Sequence, residues 1–216
     1  MATQRSPKLD KKQVVETALR LLNEVGLDGL TLRAIAKELN VQAPALYWHF
    51  KNKQALLDEM ATEMYRRMTE GAHLAPGASW QERLLDANRA LRTALLGYRD
   101  GAKVFSGSRF TGTEHAVQME ASLRSLTEAG FDLPQAVRAT STAYFFTLGF
   151  VTEEQGVEPL PGERREGYDV EERAARMADF PLAAAAGAAI FQNYAEGFEE
   201  GLRLVIAGIE ARYGIK

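Results

Sequence analysis

The sequence predicts an all-α fold in two parts, and three observations carry that expectation. Apolar residues recur at three- and four-residue intervals along most of the chain. The segments marked this way open on side chains that cap helices and close near glycine or asparagine. No stretch of the 216 residues alternates as a half-buried strand would, and no segment repeats.

In order, Asp10-Lys11-Lys12-Gln13 reads as a capping box. Val14, Ala18, Leu21, Leu22 and Val25 follow at helical spacing, and Gly26 ends this first helix. Thr31 caps a second helix carrying Leu32, Ile35, Ala36 and Leu39, with Asn40 suited to the left-handed exit. Pro44 fits the first turn of a third helix, where its missing N–H costs nothing. Leu46 and Phe50 share one face of that helix and suit the core. A fourth helix runs from about Asn52 or Lys53 to Glu70. Residues 71–78 read as a loop, and Ser79-Trp80-Gln81-Glu82 is a second capping box opening a helix to about Tyr98. A turn of helix at 102–105 follows, then a helix from Glu114 to Gly130. Asp132-Leu133-Pro134-Gln135 opens a long apolar helix to about Gln155. Residues 156–181 read as a long charged loop with a short helix near Val170 to Met177, and the last helical region spans Leu182 to Tyr213.

Tyr47, Trp48 and His49 cannot all point with Leu46 and Phe50. Some of them must face outward, with Lys51 and Lys53 immediately behind. A short outward helix of this kind suits a DNA major groove edged by phosphates. A helical hairpin with buried aromatics satisfies the same spacing. Charge favours the first reading. Residues 1–53 hold 9 Lys and Arg against 5 Asp and Glu, and the remainder holds 17 against 24. A basic head on an acidic body presents one end to a polyanion. The chain has no cysteine, which excludes disulfides and thiolate chemistry. The polar start lacks a signal-peptide core, and no apolar run is long enough to span a membrane, so a cytoplasmic protein without membrane partners is expected. There is no HExxH, GxSxG, P-loop or GxGxxG among these residues, so no enzyme, cofactor or metal is expected.

Residues 10–68 resemble the DNA-binding domain of the tetracycline-repressor (TetR) family. The likeness rests on LTLRAIA from Leu30 and on PALYWHFKNKQALLD from Pro44. It implies a helix-turn-helix domain over residues 1–70, with an arm at 1–9 and a linking helix at about 53–70, followed by a ligand-binding and dimerisation domain over 71–216. It also implies a homodimer on palindromic double-stranded operator DNA, released by a small-molecule effector. Under the resemblance Arg33 reads a base edge, Ala43, Pro44 and Ala45 face the bases, and Tyr47, Trp48, His49 and Lys53 contact groove or backbone. Two alanines there offer mainly methyl contacts, so the operator differs from those of the tetracycline repressors.

The likeness continues through LLGYRDGAKV, LTEAGF and FTLGFVTEEQ to about residue 155. Phe105 stands at the family's magnesium-ligand histidine, Thr69 and Phe145 at two further histidines, and Ser122 near its glutamine. The drug-gripping asparagine falls near Ala87, with Asn88 one step away, while Ser108, Arg109 and Glu153 fit the pattern. Phenylalanine cannot coordinate a hard cation. The expected effector is therefore a largely apolar or aromatic molecule and not a magnesium–tetracycline chelate. Leu91, Phe105, Met119 and Phe145 are candidate walls, joined by Trp80, Tyr144, Phe146 and Phe150. Asn88, Ser108, Arg109, Ser122 and Glu153 are candidate polar contacts. The helix from Pro134 and the last helical region, rich in small residues, are expected to dimerise. An activator, or a regulator without a small ligand, fits the same head.

Overall fold

A computed structural model of the chain describes residues 9–70 and 77–215. Most of the expected arm and the first six residues of the loop at 71–78, His73 included, lie outside the described residues. Among the described residues every regular element is a helix. The head comprises α1 (Lys11–Gly29), α2 (Leu32–Glu38) and α3 (Ala43–Tyr47), and α4 (Lys53–Thr69) leads out of it. The body comprises α5 (Trp80–Leu96), α6 (Gly101–Ser106), α7 (Glu114–Glu128), α8 (Leu133–Val157), α9 (Val170–Arg176), α10 (Pro181–Phe191) and α11 (Tyr194–Tyr213).

Most helix starts follow from their caps. The Thr31 hydroxyl accepts the Ala34 N–H at 3.1 Å, and Asn52 accepts that of Ala55 at 2.8 Å. Ser79 with Glu82 and Asp132 with Gln135 form reciprocal capping boxes. Asp10 differs from its expectation: it accepts from Lys12 N–H, and Gln13 does not close a box. Asn40 leaves α2 with φ 54°, as its short polar side chain permits. α3 is shorter than expected and stops at Tyr47, so Phe50 lies beyond it. The Phe50 N–H still donates to the Leu46 carbonyl at 2.9 Å, and both side chains are buried. Gly26 does not end α1; it kinks it, with φ 69° and ψ 176°, a conformation open essentially to glycine alone. The last helical region is two helices, broken at Asn193 with φ 54°.

Burial joins the two parts. One apolar cluster runs from Val14, Leu22 and Ile35 in the head through Met60 and Met64 of α4 to Leu95, Phe105 and Val151 in the body. A second gathers Trp80, Leu126, Phe131, Phe198 and Leu202 where α5, α7, α8 and α11 meet. The pair of half-buried Arg92 with buried Glu154 ties α5 to α8, and Arg92 also lies over the Phe198 ring at 5.2 Å.

The turn between α5 and α6 forms the polar seam. From the head, Asn23 accepts the Arg99 N–H at 2.8 Å and donates to the Gly97 carbonyl at 3.2 Å. The Leu27 N–H, released by the kink at Gly26, donates to the Asp100 carboxylate at 3.0 Å. From the body, buried Gln155 accepts the Ala102 N–H at 3.0 Å and donates to the Leu95 and Tyr98 carbonyls at 3.2 and 2.7 Å. Burial opposes ionisation of Asp100, but the Leu27 N–H and Lys103 outweigh it and hold its carboxyl below the usual range. That contribution to stability is present above the unfolded value near ~3.9 and is lost as pH falls through the lower folded value. Asp100→Ala should lower stability by about 2 kcal/mol through the orphaned Leu27 N–H, read from the urea midpoint, while Asp100→Asn should recover much of the loss.

Candidate nucleic-acid interface and effector site

The head sorts its third-helix region into a buried and a presented face. Leu46 and Phe50 point inward and pin the segment. Trp48 is 90% exposed and Tyr47 56%, so two large aromatics stand in solvent side by side. His49 is half-buried, Pro44 is exposed, and Ala43 and Ala45 are half-buried at the start of α3. Arg33, exposed in the first turn of α2, has no carboxylate within 4 Å among the described residues. Lys53 differs from the others. Its ammonium donates to the Leu27 carbonyl at 2.7 Å, binding half-buried Lys53 at the start of α4 to the end of α1. Sequence spacing cannot show such a bond, because the acceptor lies 26 positions away.

The structure does not bring the nine expected effector contacts around one open space. Leu91 and Phe105 are packed in the core, Phe105 edge-on to Phe110 at 5.4 Å. Asn88 is buried and satisfied: its carbonyl accepts from Thr147 at 2.7 Å and its amide donates to the Leu84 carbonyl at 2.8 Å. Ser108 is half-buried and donates to the Val104 carbonyl, while the Arg109 side chain is exposed and its N–H donates to Asp58. Ser122 is half-buried, and Met119 is exposed on the same helix, α7. Phe145, 65% exposed, and Glu153 lie on the outer face of α8. Of the further candidate walls, Trp80 is core, and Phe146 and Phe150 pack on Phe198.

Two open clefts lie elsewhere. One, of about 480 Å³, runs between the start of α1, α4 and the segment from Phe110 to His115. The other, of about 560 Å³, lies by Leu85, Arg89 and Arg203 at the outside of α5 and α11. In the first, burial pushes the Tyr65 phenol up, and the Arg66 hydrogen bond holds Glu63 below the usual carboxylate range. Both clefts draw on segments far apart in the chain, so no local pattern marks them. Asn23 and Arg92 stand in no motif either, and although Asp100 and Gln155 fall in segments that carry the resemblance, nothing local marks them as the groups that set the seam.

Comparison with known proteins gives the geometry its context. A family model described as "Bacterial regulatory proteins, tetR family" matches residues 14–60, and one described as "Tetracyclin repressor-like, C-terminal domain" matches residues 74–213. The tetracycline repressor protein class A from transposon 1721 of Escherichia coli is 43% identical over 211 residues, spanning 95% of this chain and 92% of that protein. A solved structure described as a possible TetR family transcriptional regulator from Streptomyces coelicolor A3(2) superposes with a TM-score of 0.80 at 38% identity, covering 94% of this chain and 99% of the other. A TetR variant from Acinetobacter baumannii AYE, solved with minocycline, superposes with a TM-score of 0.72 at 35% identity, covering 94% and 98%. Among the described residues no helix is long and apolar enough to cross a membrane. The chain belongs to the TetR family of transcriptional regulators, a family of ligand-binding regulators that grip operator DNA as dimers through a helix-turn-helix.

Proposed function

We propose that the chain is a homodimeric repressor that leaves a palindromic operator when a small, largely apolar or aromatic effector binds its body. The observation that carries the DNA reading is the exposed Tyr47–Trp48 pair, presented by buried Leu46 and Phe50 on the basic end of the molecule. A monomeric surface has no use for a Trp that is 90% in water, whereas groove and phosphate contacts use both its ring and its N–H. Arg33 reads a base edge, and Ala43, Pro44 and Ala45 approach thymine methyls. His49 and the free N–H groups of Lys53 fix register on the backbone.

The outer faces of α8 and α11 support the dimer. Phe145 and Gly149 are one helical turn apart on α8, and Leu204, 74% exposed, and Gly208 are one turn apart on α11. A Cβ at either glycine would meet nothing within 4 Å, so each leaves a large apolar side chain beside open space, as close helix packing against a second copy requires. The effector reading keeps Asn88, Leu91, Phe105, Ser108, Arg109, Met119 and Ser122 within one protomer. Phe145 and Glu153, on the outer face of α8, contribute from the dimer seam. Opening space for an effector among these packed side chains shifts α4 and with it the spacing of the two heads. Moving the operator from nearly full to nearly empty takes about 5.5 kcal/mol of differential affinity.

Phe105 occupies the place of the magnesium-ligating histidine and offers no lone pair, so the residues present do not fit a magnesium chelate. The melting temperature should therefore stay unchanged when tetracycline and magnesium are added together; a concentration-dependent rise would overturn this part of the reading. Operator sites can be selected from random duplex DNA. Against the selected site, Arg33→Ala should lose about 1–3 kcal/mol of affinity while binding to random DNA falls far less; equal losses would remove its base-reading role. Leu204→Glu should leave the fold intact and raise the dimer dissociation constant by at least about tenfold in sedimentation, through a carboxylate placed in an apolar contact.

A further inference from the structure

We infer that Gln42 reads one adenine in each half of the operator through two hydrogen bonds of its side-chain amide, an assignment that rests on the DNA reading above and adds to it the hydrogen-bonded base contact made beside α3.

The start of α3 differs from the starts of the helices around it. α1, α2 and α4 each open on a short polar side chain that accepts an early N–H: Asp10 from Lys12, Thr31 from Ala34 and Asn52 from Ala55. α3 opens on Gln42, whose side chain accepts none. The backbone explains why a cap is dispensable there. Pro44 brings no N–H to the first turn, and the Ala45 N–H is already bonded to the Gln42 carbonyl at 2.9 Å. Position 42 is thereby free to carry a side chain that does something other than cap. Gln42 is exposed, and among the described residues no other group engages its amide.

Its neighbours do not supply this chemistry. Ala43, Pro44 and Ala45 have only hydrocarbon side chains, so hydrogen-bonded readout on this turn falls to residue 42. The other exposed amide nearby, that of Asn40, belongs to the left-handed exit from α2 at φ 54°, a conformation that a short Asn side chain supports. Lys37 and Lys51, also exposed, are point charges that suit phosphate and cannot offer a donor and an acceptor together.

A helix laid in the major groove sets its first residues against base edges. There adenine presents the N7 acceptor beside the N6 amino donor, and a carboxamide holds the matching N–H and C=O in one plane. Guanine presents two acceptors, N7 and O6, and would leave the carboxamide oxygen facing O6. Cytosine and thymine each present a single hydrogen-bonding group. The Gln42 amide therefore selects adenine. It carries no charge and neutralises no phosphate, so it acts on base choice and not on the salt dependence of binding.

The test selects sites from random duplex DNA with the full chain and with Gln42→Ala and Gln42→Glu, after melting temperatures confirm that these exposed substitutions leave the fold intact. The unsubstituted chain should select an adenine at mirrored positions of the two half-sites. Gln42→Ala should lower the preference for that adenine by roughly tenfold, keep the preferences at the other positions and leave the slope of affinity against salt unchanged. Gln42→Glu should move the preferred base there to cytosine, whose N4 amino group donates to a carboxylate. Base preferences that Gln42→Ala leaves untouched, a loss of affinity uniform across all sequences, or an adenine that Gln42→Glu still selects would each overturn the assignment and leave the DNA reading standing. An unsubstituted chain that selects no site overturns both.

Discussion

The turn from Gly97 to Ala102 has to satisfy backbone and side-chain groups from three helices at once, and the rest of the structure is arranged around that requirement. Gln155 reaches it from α8 with both its N–H donors and its oxygen engaged, and Asn23 reaches it from α1. Asp100 sits at φ 56° so that its carboxylate can meet the N–H that the kink at Gly26 sets free. Gln155 is buried and Asn23, Leu27 and Asp100 are half-buried, and a polar group withdrawn from water without its partner is costly. The seam therefore holds one relative placement of head and body, and the apolar cluster that crosses it through Met60 and Met64 adds non-directional support.

A switch in this architecture acts on a stiff object. α4 is packed on both sides, by head residues such as Val14 and by body residues such as Phe105. A displacement in the body therefore reaches the recognition segment without a flexible joint between them, because packed interiors transmit strain. The exposed aromatics at the far end do not contribute to that rigidity. Their position comes from Leu46 and Phe50, whose burial fixes the turn from which Tyr47 and Trp48 project.

Features set by neighbours in the chain were legible in the sequence. Thr31, Asn52, Ser79 and Asp132 cap where their types and offsets say they should, because a cap needs only a donor two or three residues on. The inward pair Leu46 and Phe50 and the left-handed Asn40 are equally local. Features set by distant partners were not. Gly26 looks like a helix end until Asp100, 73 to 74 positions on, accepts the N–H that follows it. Spacing does not tell Glu153 from Glu154, yet one is exposed and the other is buried against Arg92. Asn88 has the chemistry of a ligand contact, and Thr147 uses it internally. Lys53 reads as a phosphate contact, and Leu27 takes one of its N–H groups. In each case the competing partner lies on another helix, beyond the reach of any local pattern.

The shared cluster has a bearing on how such regulators can be recombined. A graft that joins the first 60 residues of this chain to the remainder of a relative would cut through Met60 and separate Asn23 and Leu27 from the loop that receives them. The natural unit of exchange is therefore the amino-terminal helices together with α4 and the 97–102 turn, even though these pieces are discontinuous along the polypeptide. A reader of DNA built this way diversifies its specificity by changing surface side chains in place, since transplanting a whole head would disturb the protein interior.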